Sequence, residues 1–177
     1  GGEFGQFIEW RYDHALDWVL LDYEMHRRLQ NYVRALNQTY TKEPALWELD
    51  HAFEGFEWID ADNCEQSIIA FMRKGKKPDD TVIIICNFTP MVYEGYKIGV
   101  PYDCSYSEIF NSDRLEYGGS DCSNIAVFRP VKRKWHNRQY LIEIKVPPLA
   151  AVYLKPKAFA AGAIKEEKAH RSLAVRN

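Results

Sequence analysis

Carboxylate and aromatic side chains close to the start of the chain are the first candidates for chemistry. Glu3, Phe4 and Trp10 lie within one short, glycine-containing segment. A carboxylate can accept hydrogen bonds from sugar hydroxyls, and an aromatic ring can cover the apolar face of a pyranose. These three residues are therefore candidates for substrate binding, and packing inside the protein is the favoured alternative for each of them.

Asp13 and His14 have the residue types of an acid/base pair. Neighbouring residues in a loop rarely point in the same direction, so a hydrogen-bonding role at the surface is the better interpretation. Asp17 precedes Trp18 at the approach to a helix, where a carboxylate suits a turn or the positive helix end. We assign no catalytic role to any of these groups.

The cysteines do not form a metal-binding pattern. The four of them are widely spaced, without a C-x-x-C pair and without a histidine at metal-ligand spacing. They are interpreted as buried thiols, and reduced thiols are typical of a cytoplasmic protein. We expect neither a metal nor an organic cofactor.

The charge balance argues against nucleic acid and membranes as partners. The formal net charge is -2, from 23 basic and 25 acidic residues, which leaves no broad electrostatic footprint for a polyanion. The basic stretch 129–138 around Trp135 is better explained as a solvated hairpin end than as a nucleic-acid site. The glycines at 118 and 119 lack the lysine and the following helix of a phosphate-binding loop. No apolar run approaches the roughly 20 residues that span a bilayer.

The elements that must position these residues change character along the chain. Residues 1–21 are predicted to form a long, packed loop. From Asp22, apolar residues recur at three- and four-residue spacing, which predicts an amphipathic helix that ends near 37–40. Pro44 suits the first turn of a second short helix that stops by about His51.

After Gly55 the period changes to that of strands. The unbroken apolar run 82–86 predicts a strand covered on both faces, and the alternation in 139–146 predicts a half-buried antiparallel strand. Further strands are expected at 56–59, 67–73, 93–100, 106–111, 125–131 and 151–154. Seven or eight short strands in succession indicate a sandwich or barrel.

These patterns divide the chain into three parts. Residues 1–52 form a loop and helices too small to stand alone, 53–156 form an all-β unit, and 157–177 form an alanine-rich, weakly structured tail. The fold is therefore expected to be mainly β, with the first part belonging to a larger domain.

A series of short motifs matches a known family in order and spacing over about residues 1–155. The motifs are GGEFGQ at 1–6, EW at 9–10, LDW at 16–18, ALWELD at 45–50, GFEWI at 55–59, NFTP at 87–90, YKIGVP at 96–101, EYGGS at 116–120 and VPPLAA at 146–151. They closely resemble the C-terminal region of bacterial-type glycogen (1,4-α-glucan) branching enzymes of the α-amylase superfamily.

The resemblance implies that residues 1–52 complete a (β/α)8 barrel and that a C-terminal antiparallel β-sandwich follows. It also implies an enzyme that cleaves α-1,4-glucan with retention and transfers the segment to a 6-hydroxyl, forming α-1,6 branches. Such chemistry needs a carboxylate nucleophile and a carboxylic acid/base, and in this family these residues lie on earlier barrel strands. No catalytic residue is therefore expected in this chain, and the implied partners are α-glucan and the rest of the barrel.

Two other interpretations remain open. One is the same region of a related debranching or trehalose-releasing enzyme, which hydrolyses instead of transferring; the run 1–18 argues against it. The other is a glucan-binding module without chemistry, for which Trp47, Trp58, Tyr93, Tyr96, Tyr102 and Trp135 are candidate aromatic platforms, with core packing as the alternative.

Overall fold

A computed structural model describes residues 1–124 and 126–157 as one long helix, seven strands and several 3-10 turns. The helix, α1, spans Glu24–Lys42. The strands are β1 (Phe56–Asn63), β2 (Ile68–Lys74), β3 (Thr81–Asn87), β4 (Tyr93–Val100), β5 (Tyr106–Asn111), β6 (Tyr140–Val146) and β7 (Ala151–Pro156). The 3-10 turns are Gly2–Phe4, Trp18–Asp22, Pro44–Leu46, Phe53–Gly55 and Leu115–Tyr117.

The strands form two antiparallel sheets. The larger sheet has the order β1-β2-β3-β7-β5, and the smaller one pairs β4 with β6. The core contains apolar residues from both sheets, including Ile83 and Ile85 of β3 and Ile98 of β4. Facing sheets that share an apolar interior make a sandwich. The mainly β, antiparallel architecture predicted from the sequence is therefore confirmed.

The two most distinctive strand patterns have clear structural causes. In β6, one face of the strand packs against the core and the other faces outward. Ile142, Ile144 and Val146 are therefore buried, as is Leu141, whereas Glu143 is exposed. In β3, the side chains from 81 to 85 are all buried. The inner face of β3 packs in the sandwich core, and Ala45 and Leu46 cover Val82 and Ile84 on its outer face.

Helix α1 lies against the outer face of the larger sheet through few side chains. Tyr32 contacts Phe110 of β5 at a ring-centroid distance of 6.0 Å and Tyr117 at 5.7 Å. None of the residues of α1 is fully buried, although its sequence is strongly amphipathic. Part of the apolar side of this helix therefore remains open to solvent, with Met25 as an example.

Three expectations need correction. The strand predicted at 125–131 is wrong for the described residues 126–131, which form only single bridges at Phe128 and Val131. The short helix predicted after Pro44 is a three-residue 3-10 turn. The cysteines are not buried thiols as a group: Cys64 is exposed and the other three are partly buried, all of them as free thiols.

The remaining expectations agree with the structure or stay predictions. The predicted helix ends slightly later than expected, at Lys42, and the loop at 1–21 contains two 3-10 turns. The tail predicted at 157–177 lies outside the described residues from position 158 onward. No helix in the described part of the chain has both the length and the apolar character needed to cross a membrane.

Candidate functional site

The N-terminal loop packs closely on α1, where Gly5 allows the close approach and His26 makes a hydrogen bond to the loop. Gly5 follows the first 3-10 turn with a left-handed φ of 71°, and a Cβ at this position would lie 3.1 Å from Leu29 Cδ2. A side chain here would be strained both in backbone and in contact. His26 Nδ1 lies 2.7 Å from the carbonyl oxygen of Phe4, so Nδ1 carries the proton and donates it.

Phe4 is enclosed by this arrangement. Its side chain has no exposed surface, and its ring centroid lies 5.3 Å from that of Trp18. The ring of His26 also contacts Phe7 edge-on at 5.3 Å. Within this chain, the phenyl group of Phe4 therefore packs against the loop and the helix, and its position fixes the residues on either side of it.

A glutamine closes the loop between its two 3-10 turns. Gln6 Oε1 accepts a hydrogen bond from the backbone N–H of Asp17 at 3.0 Å, and Gln6 Nε2 donates to the carbonyl oxygen of Ile8 at 3.0 Å. The first of these bonds joins two positions that are 11 residues apart in sequence. The hydrogen bond between Gln6 and Asp17 thus holds together the two ends of the intervening segment, which we call the excursion, and its side chains project outward.

The excursion exposes an unusual amount of aromatic surface. The exposed fraction is 81% for Phe7, 68% for Trp10 and 89% for Tyr12. Ile8 and Trp18 are also more than half exposed. Large apolar patches of this kind mark contact surfaces for a protein or a ligand.

The three sequence-predicted site residues are therefore placed differently. Glu3 and Trp10 reach solvent, whereas Phe4 is buried beside Glu3. A hydrogen bond from its own backbone N–H is the main cause that lowers the pKa of Glu3, so the carboxylate is ionised at neutral pH. In the described residues no hydrogen bond or ring contact links Trp10 to Glu3 or Phe4.

Asp13 and His14 form surface contacts instead of an acid/base pair. Arg11 donates to both carboxylate oxygens of Asp13, from Nε at 3.1 Å and from Nη2 at 2.7 Å. His14 Nδ1 donates to the backbone carbonyl of Asp13 at 2.7 Å. His14 Nδ1 lies 3.7 Å from Asp13 Oδ2, which is beyond hydrogen-bond distance, so the pair is not arranged for proton transfer between its members.

A second aromatic surface lies on the outer face of the larger sheet, at its β1–β2 edge. We call Phe56, Trp58 and Phe71 the outer-face cluster. The Phe56 ring lies 5.0 Å from Trp58 and stacks on Phe71 at 5.3 Å. Trp58 is 52% exposed. A ring array with one open indole is the type of surface on which sugar rings stack.

Arg73 supports this cluster from the neighbouring strand. It donates to Asp50 Oδ1 at 2.5 Å and to the carbonyl oxygens of Gly55 at 3.2 Å and Leu46 at 3.3 Å. The hydrogen bond and the charge of Arg73 hold the pKa of Asp50 below its ordinary value. The segment between α1 and β1 is thereby fixed against β2.

Sequence reasoning missed the residues that position the N-terminal loop. His26 and Gln6 act through backbone partners distant in sequence, and neither residue type signals such a bond by its spacing. Gly5 could have been found, because a glycine directly after a short turn often adopts a left-handed conformation. No group of three or more metal-binding side chains occurs in the residues that the structure describes.

Comparison with known proteins identifies the β-unit. The family model described as the alpha amylase C-terminal all-beta domain matches residues 58–157. A relative named 1,4-alpha-glucan branching enzyme GlgB from Halothermothrix orenii is 58% identical over 156 residues, which cover 88% of this chain and 25% of the relative. A protein of the same name from Bacillus cytotoxicus is 47% identical over 167 residues, with 94% and 26% covered.

Solved structures give weaker matches. The alpha-amylase from H. orenii aligns with a TM-score of 0.43 at 18% identity, covering 73% of this chain and 20% of that one. Isomaltulose synthase from Erwinia rhapontici aligns with a TM-score of 0.40 at 19% identity, covering 72% and 18%. The chain spans about a quarter of the length of the curated relatives it matches. By its match to the family model, the chain belongs to the family of the alpha amylase C-terminal all-beta domain.

Proposed function

We propose that this chain is the C-terminal part of a 1,4-α-glucan branching enzyme. The observation that carries the proposal is the 58% identity, over 88% of the chain, to a relative of that name. The enzyme would cleave an α-1,4-glucan and transfer the freed segment to a 6-hydroxyl, forming an α-1,6 branch. The two carboxyl groups that retaining chemistry needs would lie on barrel strands outside these residues.

The N-terminal loop and α1 would complete the barrel domain in the whole enzyme. The exposed rings of Phe7 and Tyr12 and the open side of α1 support this role, because they offer apolar surface to a neighbouring domain. Glu3 and Trp10 would contact glucan at the barrel mouth, and Phe4 would hold Glu3 in position. The boundaries after residues 52 and 156 remain part of the proposal.

The proposed partners are α-glucan and the rest of the catalytic barrel, without nucleic acid, membrane, metal or organic cofactor. The balanced charge of the chain supports a neutral partner. We also propose a cytoplasmic location, which the free thiols support.

A branching assay tests the proposal. Amylose would be incubated with the longer protein that contains this chain, and separately with residues 1–177, and followed by iodine staining and linkage analysis. We expect α-1,6 branches from the longer protein and none from the chain alone. Hydrolysis without new branches would favour the debranching or trehalose-releasing alternative, and branching by the chain alone would contradict the location of the catalytic carboxylates.

The outer-face cluster supports a second candidate function, glucan binding without chemistry. Affinity electrophoresis of the chain in gels containing glycogen would measure it. We expect retardation that Trp58→Ala reduces by half or more. Phe53→Ala is the matched control, because Phe53 is 95% exposed in the turn before β1 and makes no ring contact with the cluster in the described residues. Normal migration in the presence of glycogen would refute the binding-module function.

A further inference from the structure

A β-bulge in β1 redirects a carboxylate away from the outer-face cluster. Trp58 pairs with Phe71, but Asp60 pairs with Ala70, which is fully buried in the core. With regular alternation, Asp60 would lie on the same face as Trp58. The extra residue at the bulge turns it instead toward the smaller sheet, where bulges commonly re-aim side chains for a local purpose.

Asp60 then organises three side chains from three different segments. Its Oδ2 atom accepts a hydrogen bond from the hydroxyl of Tyr96 at 3.1 Å and one from Asn63 Nδ2 at 3.2 Å. His136 Nε2 lies 3.4 Å from the same oxygen. The backbone N–H of Gly99 donates to His136 Nδ1 at 3.4 Å, so Nε2 carries the proton. Burial, only partly opposed by the charge of Asp60, lowers the pKa of His136, so the ring is neutral at pH 7.

These three side chains line an open cavity at the end of the β1–β2 hairpin. We call it the hairpin-end cavity; its volume is about 250 Å³, and its lining residues are Asn63, Gln66, Tyr93, Glu94, Gly95, Tyr96, Lys97, Trp135 and His136. This volume lies below the range of about 300–1,000 Å³ typical of sites for drug-sized ligands. An occupant would therefore be about the size of one ring.

The aromatic walls of the cavity are fixed by hydrogen bonds. The indole N–H of Trp135 donates to the carbonyl oxygen of Lys97 at 2.9 Å. The hydroxyl of Tyr93 donates to the carbonyl oxygen of Gln66 at 3.1 Å. Rings that are already ordered lose little conformational freedom when a ligand stacks on them.

The polar groups of the cavity suit a neutral, hydroxylated ligand. Glu94 is paired with Lys145 at 3.2 Å, and Lys97 with Glu143 at 3.7 Å. With both rim charges paired, no cation is left in the lining to attract an anion. Gln66 Oε1 accepts from Asn63 at 2.8 Å, whereas Gln66 Nε2 donates to no group within residues 1–124 and 126–157, so an amide donor remains for a ligand hydroxyl.

From the aromatic walls, the paired rim charges and the free amide donor, we propose that the hairpin-end cavity binds one glucose unit of an α-glucan, at a site separate from the outer-face cluster. That the saccharide is an α-glucan rests on the proposed function. Tyr93 and Trp135 supply stacking surface, and Gln66 supplies the free amide donor. Asp60 is the positioning residue, because it holds Tyr96 and His136 behind them.

Titration with maltotriose, followed by nuclear magnetic resonance of the 177-residue chain, tests this site. The indole resonance of Trp135 would be assigned by its loss in Trp135→Phe. We expect it to shift saturably with maltotriose, and we expect Gln66→Ala to weaken binding about fivefold through the lost hydrogen bond. Glu65→Ala is the matched control, because Glu65 is the exposed neighbour of Gln66 and does not line the cavity.

Each outcome has one meaning. A Trp135 resonance that stays unchanged at saturating maltotriose overturns the site, whether or not other resonances move. If Gln66→Ala loses its dispersed spectrum, the titration of the unsubstituted chain decides alone. A positive branching assay with an unchanged Trp135 resonance would overturn the site and leave the proposed function intact.

Discussion

Two buried polar residues hold loops of the sandwich in place. Asn87, which is almost fully buried, donates from Nδ2 to the carbonyl oxygens of Met91 and Pro147, both at 2.8 Å. Its Oδ1 atom accepts from the backbone N–H and the hydroxyl of Thr89 at 2.9 and 2.8 Å. Asp113 similarly accepts from Ser120 N–H and Oγ and from Cys122 N–H. The two donor and two acceptor positions of the Asn87 amide are all used, so this site requires an amide side chain.

We expect Asn87→Asp to lower the free energy of unfolding by about 3 kcal/mol at pH 7, because a carboxylate would face two carbonyl oxygens that need a donor. The repulsion would raise the folded-state pKa of the new group, so the loss should be smallest at pH below the ordinary carboxyl pKa and grow as the pH rises through that value. Urea unfolding between pH 4 and 8 measures it. Asn87→Ala should show a pH-independent loss, and a pH-independent loss in Asn87→Asp would contradict the assigned bonds.

Substitutions at Phe4 can distinguish a packing role of this side chain from a role in substrate binding. We expect Phe4→Ala to destabilise the chain by about 3 kcal/mol, since it removes a fully buried ring, and Phe4→Leu to cost about 1 kcal/mol. Glu3→Ala should change stability by less than about 0.5 kcal/mol, because Glu3 is exposed. Urea unfolding monitored by tryptophan fluorescence measures all three. Unchanged stability in Phe4→Ala would refute the packing role.

Residue type alone predicted which side chains could meet a sugar but not which of them reach solvent. Glu3 and Trp10 are exposed as a binding role requires, whereas Phe4 is buried by contact with Trp18 and α1. That difference depends on tertiary contacts of the loop. The roles of Asp60 and His136 were also hidden, because a bulge and a turn bring together residues that are far apart in sequence.

At the scale of elements, strands with a strong pattern of apolar residues were predictable from the sequence. The structure of the segment 125–131 was not. The alternation around Ile142 and the apolar run of β3 each reflect burial on one or two faces. In the segment expected at 125–131, Pro130 cannot donate a ladder hydrogen bond. Among the described residues 126–131, only Phe128 and Val131 form bridges, with Tyr106 and Leu141 respectively. Apolar residues there therefore indicate isolated contacts and not a continuous strand.

Glu57 links the two sheets through ion pairs with side chains, and these pairs should make the stability of the chain depend on pH. It accepts from Lys74 of β2 at 2.7 Å and from Arg138, which precedes β6. Burial alone would raise the pKa of Glu57, but the bonds from Lys74 and Arg138 outweigh burial and lower it. A lowered folded-state pKa means that the stabilisation is complete above the ordinary glutamate pKa and is lost as the pH falls through the folded value.

We therefore expect Glu57→Gln to reduce the free energy of unfolding by about 1 kcal/mol at pH 7 and to have a smaller effect at pH 3. Thermal unfolding at both pH values measures the difference. Glu143→Gln is the matched control, since Glu143 is mostly exposed and lies 3.7 Å from its partner Lys97. Equal destabilisation by Glu57→Gln at pH 7 and pH 3 would show that charge is not the cause.

At the scale of the whole molecule, the β-sandwich has a closed core while the N-terminal loop has an open apolar surface. The core residues of both sheets are almost completely buried. By contrast, Phe7, Trp10 and Tyr12 project from the loop, and the apolar side of α1 is partly uncovered. The contrast fits an enclosed β-unit joined to a segment that needs a neighbour.

This surface should make the isolated chain self-associate. We expect a concentration-dependent sedimentation coefficient, and we expect Phe7→Ser combined with Tyr12→Ser to reduce the association at least about tenfold, by removing two exposed rings. Phe53→Ser removes an equally exposed ring from the turn before β1 and should have little effect. A chain that stays monomeric at high concentration would contradict the need for a covering partner.

The order of the larger sheet also determines when this domain can fold in the cell. Strand β7 lies between β3 and β5 and is the only strand in the described residues that pairs with β5. Until β7 has been synthesised, β5 therefore has no strand partner and one edge of β3 stays open. At about 5–20 residues per second, roughly 40 residues between β5 and β7 take several seconds to emerge. During that interval the nascent chain presents bare strand edges, and completion of the sheet must await release of its final strand from the exit tunnel.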